Sequence, residues 1–375
     1  MSRRRKKRIF RAASFVIVIV LVILLVTTSV SSIRWTGYRV AADSVVEKTD
    51  NVSEYRDIGD NILRYSSDGA SLLGSDLEAL WNVTYAMEQP SADHCGGTVV
   101  IYDKNGTSVM VFNKKGMIGA FESDRPLVKA CVSKSGNVAA LLAGGDNAVI
   151  KYYTAGGEEI AALSADAETS GYPADFIISE DGYYLTVSYM TVIGSRAGSR
   201  LVVYDFSRDG KSQNDNVAAS EESEDTLIPL LFRGEGNKLT AVTENGFAVY
   251  KAGTLERTAA VRFDEDIVSV FHDESHVGFV FAGGNENSRY EVRLYSLNGK
   301  MIASIPLDFL YDDIAVTGDQ VILFNRARMA VYSMEGTCRF DDSLEEGDLS
   351  AVIRTGWRTY LLVSSDRTET ITLTF

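Results

Sequence analysis

The sequence predicts an all-β fold, a β-propeller of about eight four-stranded blades, with one transmembrane helix before it. Three observations predict this. Short runs rich in Val, Ile, Leu, Tyr and Phe alternate with clusters of Gly, Asn, Asp and Ser from about residue 58 onward. Two turn motifs recur at the spacing of one blade. One uncharged stretch near the N-terminus is long enough to cross a bilayer.

The membrane segment comes first in the chain. Arg3, Arg4, Arg5, Lys6, Lys7, Arg8 and Arg11 precede it, with no acidic residue among them. Residues 12–33 carry no charge, and 15–26 are an unbroken apolar run. As a helix this stretch rises about 33 Å, against a hydrocarbon core of about 30 Å. Backbone polar groups in lipid must be satisfied internally, so a helix is required despite the many Val and Ile. Arg34, Trp35 and Tyr38 follow at once and read as an interfacial belt. The basic cluster before the span places the N-terminus in the cytoplasm and the remainder outside. A cleavable signal peptide is the alternative, with Ser29-Val30-Ser31 as a small-x-small site. The length of the uncharged stretch and the lack of an Ala-x-Ala site favour the anchor. No Cys lies near the segment, which excludes a lipoprotein anchor. The predicted organisation is a basic cytoplasmic tail (1–11), a transmembrane helix (12–33), a juxtamembrane linker or closing strand (34–57) and an extracytoplasmic propeller (58–375).

Within 58–375 the strands are short, for example at 99–102, 108–112, 201–204 and 320–324, and no helical periodicity stands out. One turn recurs as an aromatic residue, a few polar residues, then Gly. It occurs at 112–116, 153–157, 295–299 and 332–336, with looser copies at 204–210 and 250–253. The anchors Phe112, Tyr153, Tyr204, Tyr250, Tyr295 and Tyr332 are 41, 51, 46, 45 and 37 residues apart. Residues 64–69 (Arg-Tyr-Ser-Ser-Asp-Gly) align with 101–106 and extend the series upstream. A second turn precedes each copy, at 132–136, 178–182 and 232–236. Each repeat thus holds four strands and three turns, a sheet that cannot bury its own faces and must stack around an axis. Third strands fall near Leu73, Phe112, Tyr153, Tyr204, Tyr250, Tyr295, Tyr332 and Phe375, which gives eight blades, WD40- or quinoprotein-like in layout. A segment near 39–46 would supply the last outer strand and close the ring. Seven blades is the alternative, if the first and last partial repeats merge. The long spacings carry polar excess at 194–199 and 207–226, and the second, with Glu221, Glu222, Glu224 and Asp225, reads as a surface loop.

Residues 64–69, Gly171-Tyr172-Pro173, Ser179-Glu180-Asp181-Gly182 and Val187-Ser188-Tyr189 resemble a Firmicutes family, domain of unknown function 5711. Its members resemble this chain in layout too: a basic N-terminus, one span and a propeller-like remainder. The resemblance covers most of the chain. It implies a Gram-positive envelope protein with no assigned activity, and it carries no catalytic residue across.

The chemical signals are weak. His272 and His276 flank Asp273-Glu274-Ser275, but a zincin needs Glu where Asp273 stands, and needs a helix. The segment lies between the strand-like runs 267–271 and 277–281, so it reads as a hairpin turn. Gly234-Glu235-Gly236 is a broken dinucleotide motif with Leu239 at its third position, and reads as a turn. Cys95, Cys131 and Cys338 are far apart and read as small buried hydrophobes. Asp312-Asp313 and Asp341-Asp342 would point to opposite faces of a strand. A quinoprotein would show vicinal Cys and a Trp in nearly every blade; Trp35, Trp81 and Trp357 are all there is. Trp81 resembles one relic of a docking motif. The sequence assigns no catalytic, cofactor-binding or metal-ligating residue, and the ligand-binding residues are unknown.

The net charge is -14, and after the basic tail 30 basic residues face 51 acidic ones. Nucleic acid is excluded as a partner, because phosphate contacts need a basic face on the folded domain. The expected partners are the bilayer, through the helix, and an envelope protein or polymer. Two functions fit. One is a non-catalytic binding or scaffold module, which predicts an apolar or aromatic patch at a rim or channel mouth. The other is a hydrolase or lyase, which predicts facing carboxylates with perturbed pKa in a channel pocket. A sensor is a variant of the first, with only about 11 residues inside the cell.

Overall fold

A computed structural model of the chain describes residues 33–41, 53–144, 147–166, 171–193, 196–207, 214–285, 288–344, 348–365 and 367–375. The basic tail and all of the expected span except Ile33 lie outside the described residues. Among the described residues no helix is long and apolar enough to cross a membrane.

The described strands form eight sheets of four, each an antiparallel meander. The first strand of each sheet lines the axis. In order, blades 1 to 8 contribute Glu54–Asp57, Pro90–Cys95, Leu127–Val132, Tyr172–Ile178, Leu230–Gly234, Ile267–His272, Asp313–Thr317 and Leu349–Arg354. Middle strands such as Val138–Leu142 and Gln320–Phe324 are buried throughout, because blades cover both of their faces. Outer strands such as Ala79–Thr84 and Arg257–Arg262 alternate between exposed and half-buried. All eight predicted anchors lie in third strands or, for Phe375, directly after one.

Antiparallel order sorts the turns onto two faces. Turns between first and second strands, and between third and fourth, share one face. Turns between second and third strands, and the connections between blades, share the other. Both recurring turn motifs fall on the first of these. Their geometry repeats: the Gly136 N–H donates to Ser133 O at 3.0 Å, Gly182 to Ser179 at 3.0 Å and Gly336 to Ser333 at 2.9 Å. The closing residue needs positive φ (92° at Gly136, 84° at Gly336), which only Gly adopts without strain.

The ring closes with Gly37–Val40, which pairs with Thr368–Thr374 as the outer strand of blade 8. This is slightly earlier in the chain than the predicted 39–46. Glu54–Asp57 is the inner strand of blade 1, so the 34–57 stretch holds two propeller strands. Gly37 lies opposite Thr374, at the face of the recurring turns. The chain therefore enters the propeller on that face, called here the entry face; the opposite one is the far face.

Eight apolar clusters fill the eight interfaces between blades. The interface between blades 8 and 1 is the thinnest among the described residues, with only Ile62, Ile353, Leu361 and Val363 fully buried. Two expectations are corrected. Trp35 and Tyr38 do not form an interfacial belt: Trp35 is 2% exposed in the core between blades 7 and 8, and Tyr38 packs edge-on against Phe340. Their large apolar area finds a nearer home than lipid. The acidic stretch 207–226 is not simply a loop either. Val217–Ser223, with Glu221 and Glu222, is the outer strand of blade 4. An outer strand meets water on one side, so small and acidic residues suit it. Residues 196–199, part of the other stretch of polar excess, begin the third strand of that blade.

Candidate functional site

The channel is polar and asymmetric. On the side of blades 2 to 5, side chains of the inner strands link one blade to the next. Asp93 of blade 2 accepts the Val132 N–H of blade 3 at 2.9 Å. Lys129 of blade 3 pairs with Asp175 of blade 4. Asp175 in turn accepts the Leu231 N–H of blade 5 at 2.8 Å. Arg233 of blade 5 closes the circuit by reaching back to Asp93 at 3.0 and 3.2 Å. The same guanidinium donates to Val132 O at 3.0 Å, so one side chain bridges the entry-face end of several strands. A planar fork of five N–H donors suits this task, and Lys could not do it.

The circuit sets the chemistry of its carboxylates. Burial alone would raise the Asp93 carboxyl, but the Arg233 guanidinium and the Val132 N–H overcome it and hold it below the ordinary value. Asp93 and Asp175 are each engaged by a cation and a backbone N–H. Two other carboxyls are shifted upward by burial, Asp57 and Asp313. Thr317 donates to Asp57 at 3.0 Å and belongs to the same strand as Asp313, four residues on. That spacing is about 13 Å along a strand, far beyond the roughly 5 Å of a retaining carboxylate pair.

The remaining sequence candidates are scattered. His272 and His276 end and begin the paired strands of blade 6, with Asp273 in the hairpin turn between them. His276 Nδ1 lies 3.0 Å from Asp273, while His272 stacks on Phe232 of blade 5 at 3.7 Å. Burial lowers the pKa of His272 and of His94, which favours their neutral forms. Gly234 ends an inner strand and Gly236 is in the turn after it. Cys95 and Cys131 are buried and Cys338 is half-buried; burial pushes the Cys131 thiol up to about 12, far from nucleophilic. Asp341 is held by Arg328 through two hydrogen bonds, and Asp342 is exposed. Asp312 and Asp313 lie at the far-face start of blade 7. Trp81 does dock one blade on the next: it stacks on Phe112 at 4.6 Å and donates to Asn113 O at 2.9 Å.

Sequence reasoning missed the circuit. Arg233 was read as part of a turn, and its partner Asp93 is 140 residues away. The available signal was a charge closing the apolar run Leu230-Leu231-Phe232.

The two mouths differ. On the far face, exposed apolar side chains gather at the start of the inner strands of adjacent blades: Tyr172, Leu230, Val268 and, just before blade 7, Leu310. Exposed apolar residues elsewhere are mostly single ones on outer strands, such as Leu80 and Met301, or lie on entry-face turns, as Trp357 does.

Residues 32–373 match the family of unknown function (DUF5711). No curated protein matches the chain significantly. Among solved structures, the chain is similar to the computationally designed Ika8 protein (11% identity, TM-score 0.56, covering 90% of this chain and 100% of that one). It is also similar to BamB from Moraxella catarrhalis (11%, 0.52, 88% and 100%) and to Sqt1 from Saccharomyces cerevisiae (13%, 0.54, 91% and 99%). At such identities the likeness is one of fold. The family match spans nearly the whole chain, and the chain belongs to that family.

Proposed function

From that membership we propose that the chain is a single-pass, membrane-anchored propeller of a Gram-positive envelope. It has its N-terminus in the cytoplasm and its propeller outside, and it acts as a non-catalytic binding or scaffold module for an envelope protein or polymer. The single observation that carries the reading is the division between faces. The chain enters beside Trp35 on one face, and the exposed apolar side chains crowd the channel mouth on the other. An anchor helix ending just before Ile33, which packs on the propeller core, holds the entry face toward the bilayer, since two residues span at most about 7 Å. The far mouth then points away from the membrane, where a partner can reach it. Exposed apolar patches of this kind mark interaction sites.

The alternative, an envelope hydrolase or lyase, wants two carboxyls converging in the channel. Asp93 and Asp175 are committed to cations, and Asp57 and Asp313 stand apart. The test is crosslinking and affinity capture of the full-length protein in its own membrane, beside the chain lacking residues 1–33. The reading expects one stoichiometric partner recovered by both. Recovery of glycan or small molecules in its place, lost on substitution of Asp57 or Asp313, would overturn it.

A further inference from the structure

The connections between blades on the far face are not alike. From blade 4 to 5 the chain runs Glu224-Asp225-Thr226-Leu227-Ile228-Pro229-Leu230; from 5 to 6, Phe263-Asp264-Glu265-Asp266-Ile267-Val268; from 6 to 7, Asp308-Phe309-Leu310-Tyr311-Asp312-Asp313. Each places acidic residues beside one buried apolar anchor (Ile228, Phe263 or Phe309) and one displayed apolar residue (Leu230, Val268 or Leu310). The displayed residues are 38%, 50% and 56% exposed. In blade 6 a bulge makes Val268 the extra residue between Ile267 and Ser269, so its unpaired position displays it. The connections of blades 1 to 2 and 2 to 3 display no large apolar residue.

The hairpins around this patch form a groove. Tyr172 pairs with Met190, so residues 191–193 and 196–198 of blade 4 rise past the inner strand as a ribbon of about 10 Å. Ile267 pairs with Phe281, and residues 282–285 of blade 6 rise in the same way. Blade 5 between them turns back at 243–246, level with Leu230. Leu230 is thus the floor of a saddle between two walls. Met190 and Val192 of one wall are exposed. Glu224, Asp264 and Asp266 are exposed in the two connections that flank blade 5 and make no ion pair among the described residues.

We propose that this groove over blade 5 docks a polypeptide segment of a partner protein in which an apolar residue is flanked by Lys or Arg. The apolar side chain covers Leu230 and Val268, and the flanking cations meet Glu224, Asp264 and Asp266. Charge complementarity selects this occupant, since the connections 224–230, 263–268 and 308–313 carry eight acidic residues and no basic one and so steer basic segments, though Arg262 and Arg289 on the blade 5 and 6 hairpins offset part of that charge. The inference rests on the binding-module reading and names the partner chemistry for it.

The test is selection of a displayed random dodecapeptide library on the full-length protein in nanodiscs. The expected result is enrichment of peptides with an apolar residue between basic ones. Their affinity falls at least tenfold in Leu230→Asp, and several-fold, with a shallower salt dependence, in Asp264→Asn/Asp266→Asn. Both changes are at exposed positions, and an unchanged Tm certifies the fold. Enriched peptides that are acidic or uncharged, or that bind both variants as they bind the parent protein, would overturn the inference. If such peptides instead lose binding in Leu310→Ser, the far-face module reading stands and only this groove is wrong, whereas loss in Trp357→Ala overturns both. Failure to enrich any peptide overturns the groove, while the partner capture described above decides the reading itself.

Discussion

Asp57 and Asp93 lie near the entry-face ends of neighbouring inner strands, in blades 1 and 2, yet they titrate in opposite directions. Asp57 is raised by burial, which the hydrogen bonds from Thr317 and Gly59 and the charge of Arg354 only partly offset. Asp93 is buried too, but Arg233 crosses from blade 5 to neutralise it. The difference teaches how this ring is held. Blades 2 to 5 are tied by a circuit of ion pairs and backbone hydrogen bonds on top of full apolar interfaces. Among the described residues, the seam between blades 8 and 1 has the thinnest apolar interface, and it holds a polar cleft of about 440 Å³ lined by Asp57, Asn61 and Arg354. Blade 8, on one side of that seam, is itself completed by a strand borrowed from the other end of the chain.

Removing residues 33–41 should have the largest effect. That strips blade 8 of its outer strand and its interface with blade 7 of Trp35, and leaves 368–374 as an unprotected edge. Limited proteolysis is expected to cut first within 349–375 and cooperative thermal unfolding to be lost. An unchanged melting curve would show that blade 8 needs no borrowed strand.

Next in size, Arg233→Met leaves Asp93 buried without a counter-charge and should cost about 3–5 kcal/mol in chemical denaturation. Adding Asp93→Leu should recover most of that loss, because no orphan charge remains. Equal losses in the single and double variants would mean that the circuit is packing and not charge.

The two aspartates should respond to pH with opposite signs. Asp57 is raised in the folded state, so the folded state binds more protons and stability falls as pH rises from the unfolded value of about 3.9 through the folded one. Asp57→Asn should therefore raise Tm at pH 7, with the gain disappearing below about pH 4. Asp93 is lowered, so its stabilisation is complete above about pH 3.9 and is lost as pH falls through the folded value. Asp93→Asn should lower Tm at pH 7, and the gap should close on acidification. Tm measured against pH for both variants checks the signs; two curves of the same sign would contradict the account.

The smallest expected effect is at Trp81. Trp81→Phe keeps the stacking on Phe112 but loses the hydrogen bond to Asn113 O, at a cost of about 1 kcal/mol. A much larger loss would place blade 1 among the strongly tied blades.

Much of the ring was legible in the sequence because its turns are chemically constrained. Positive φ demands Gly at 136, 182, 299 and 336, and the aromatic anchors of the third strands recur with them, so eight blades could be counted. Val217–Ser223 was illegible as a strand because an outer strand facing water has no need of β-branched residues. Trp35 was misread because a Trp two residues after an apolar span fits lipid and protein equally well in composition. Arg233 and Asp93 could not be paired, since nothing local records a partner 140 residues away. The far-face patch was anticipated as a class of feature. Its place over blades 4 to 7 follows from strand register, which sequence does not give.

In the proposed reading, the face opposite chain entry does the binding. The most direct test is photo-crosslinking in the native membrane, with a photoreactive benzoylphenylalanine at position 230 on the far face or at position 357 on the entry face. The account predicts a discrete protein adduct from position 230 and none from 357. An adduct from 357 alone, or none from either, would contradict it.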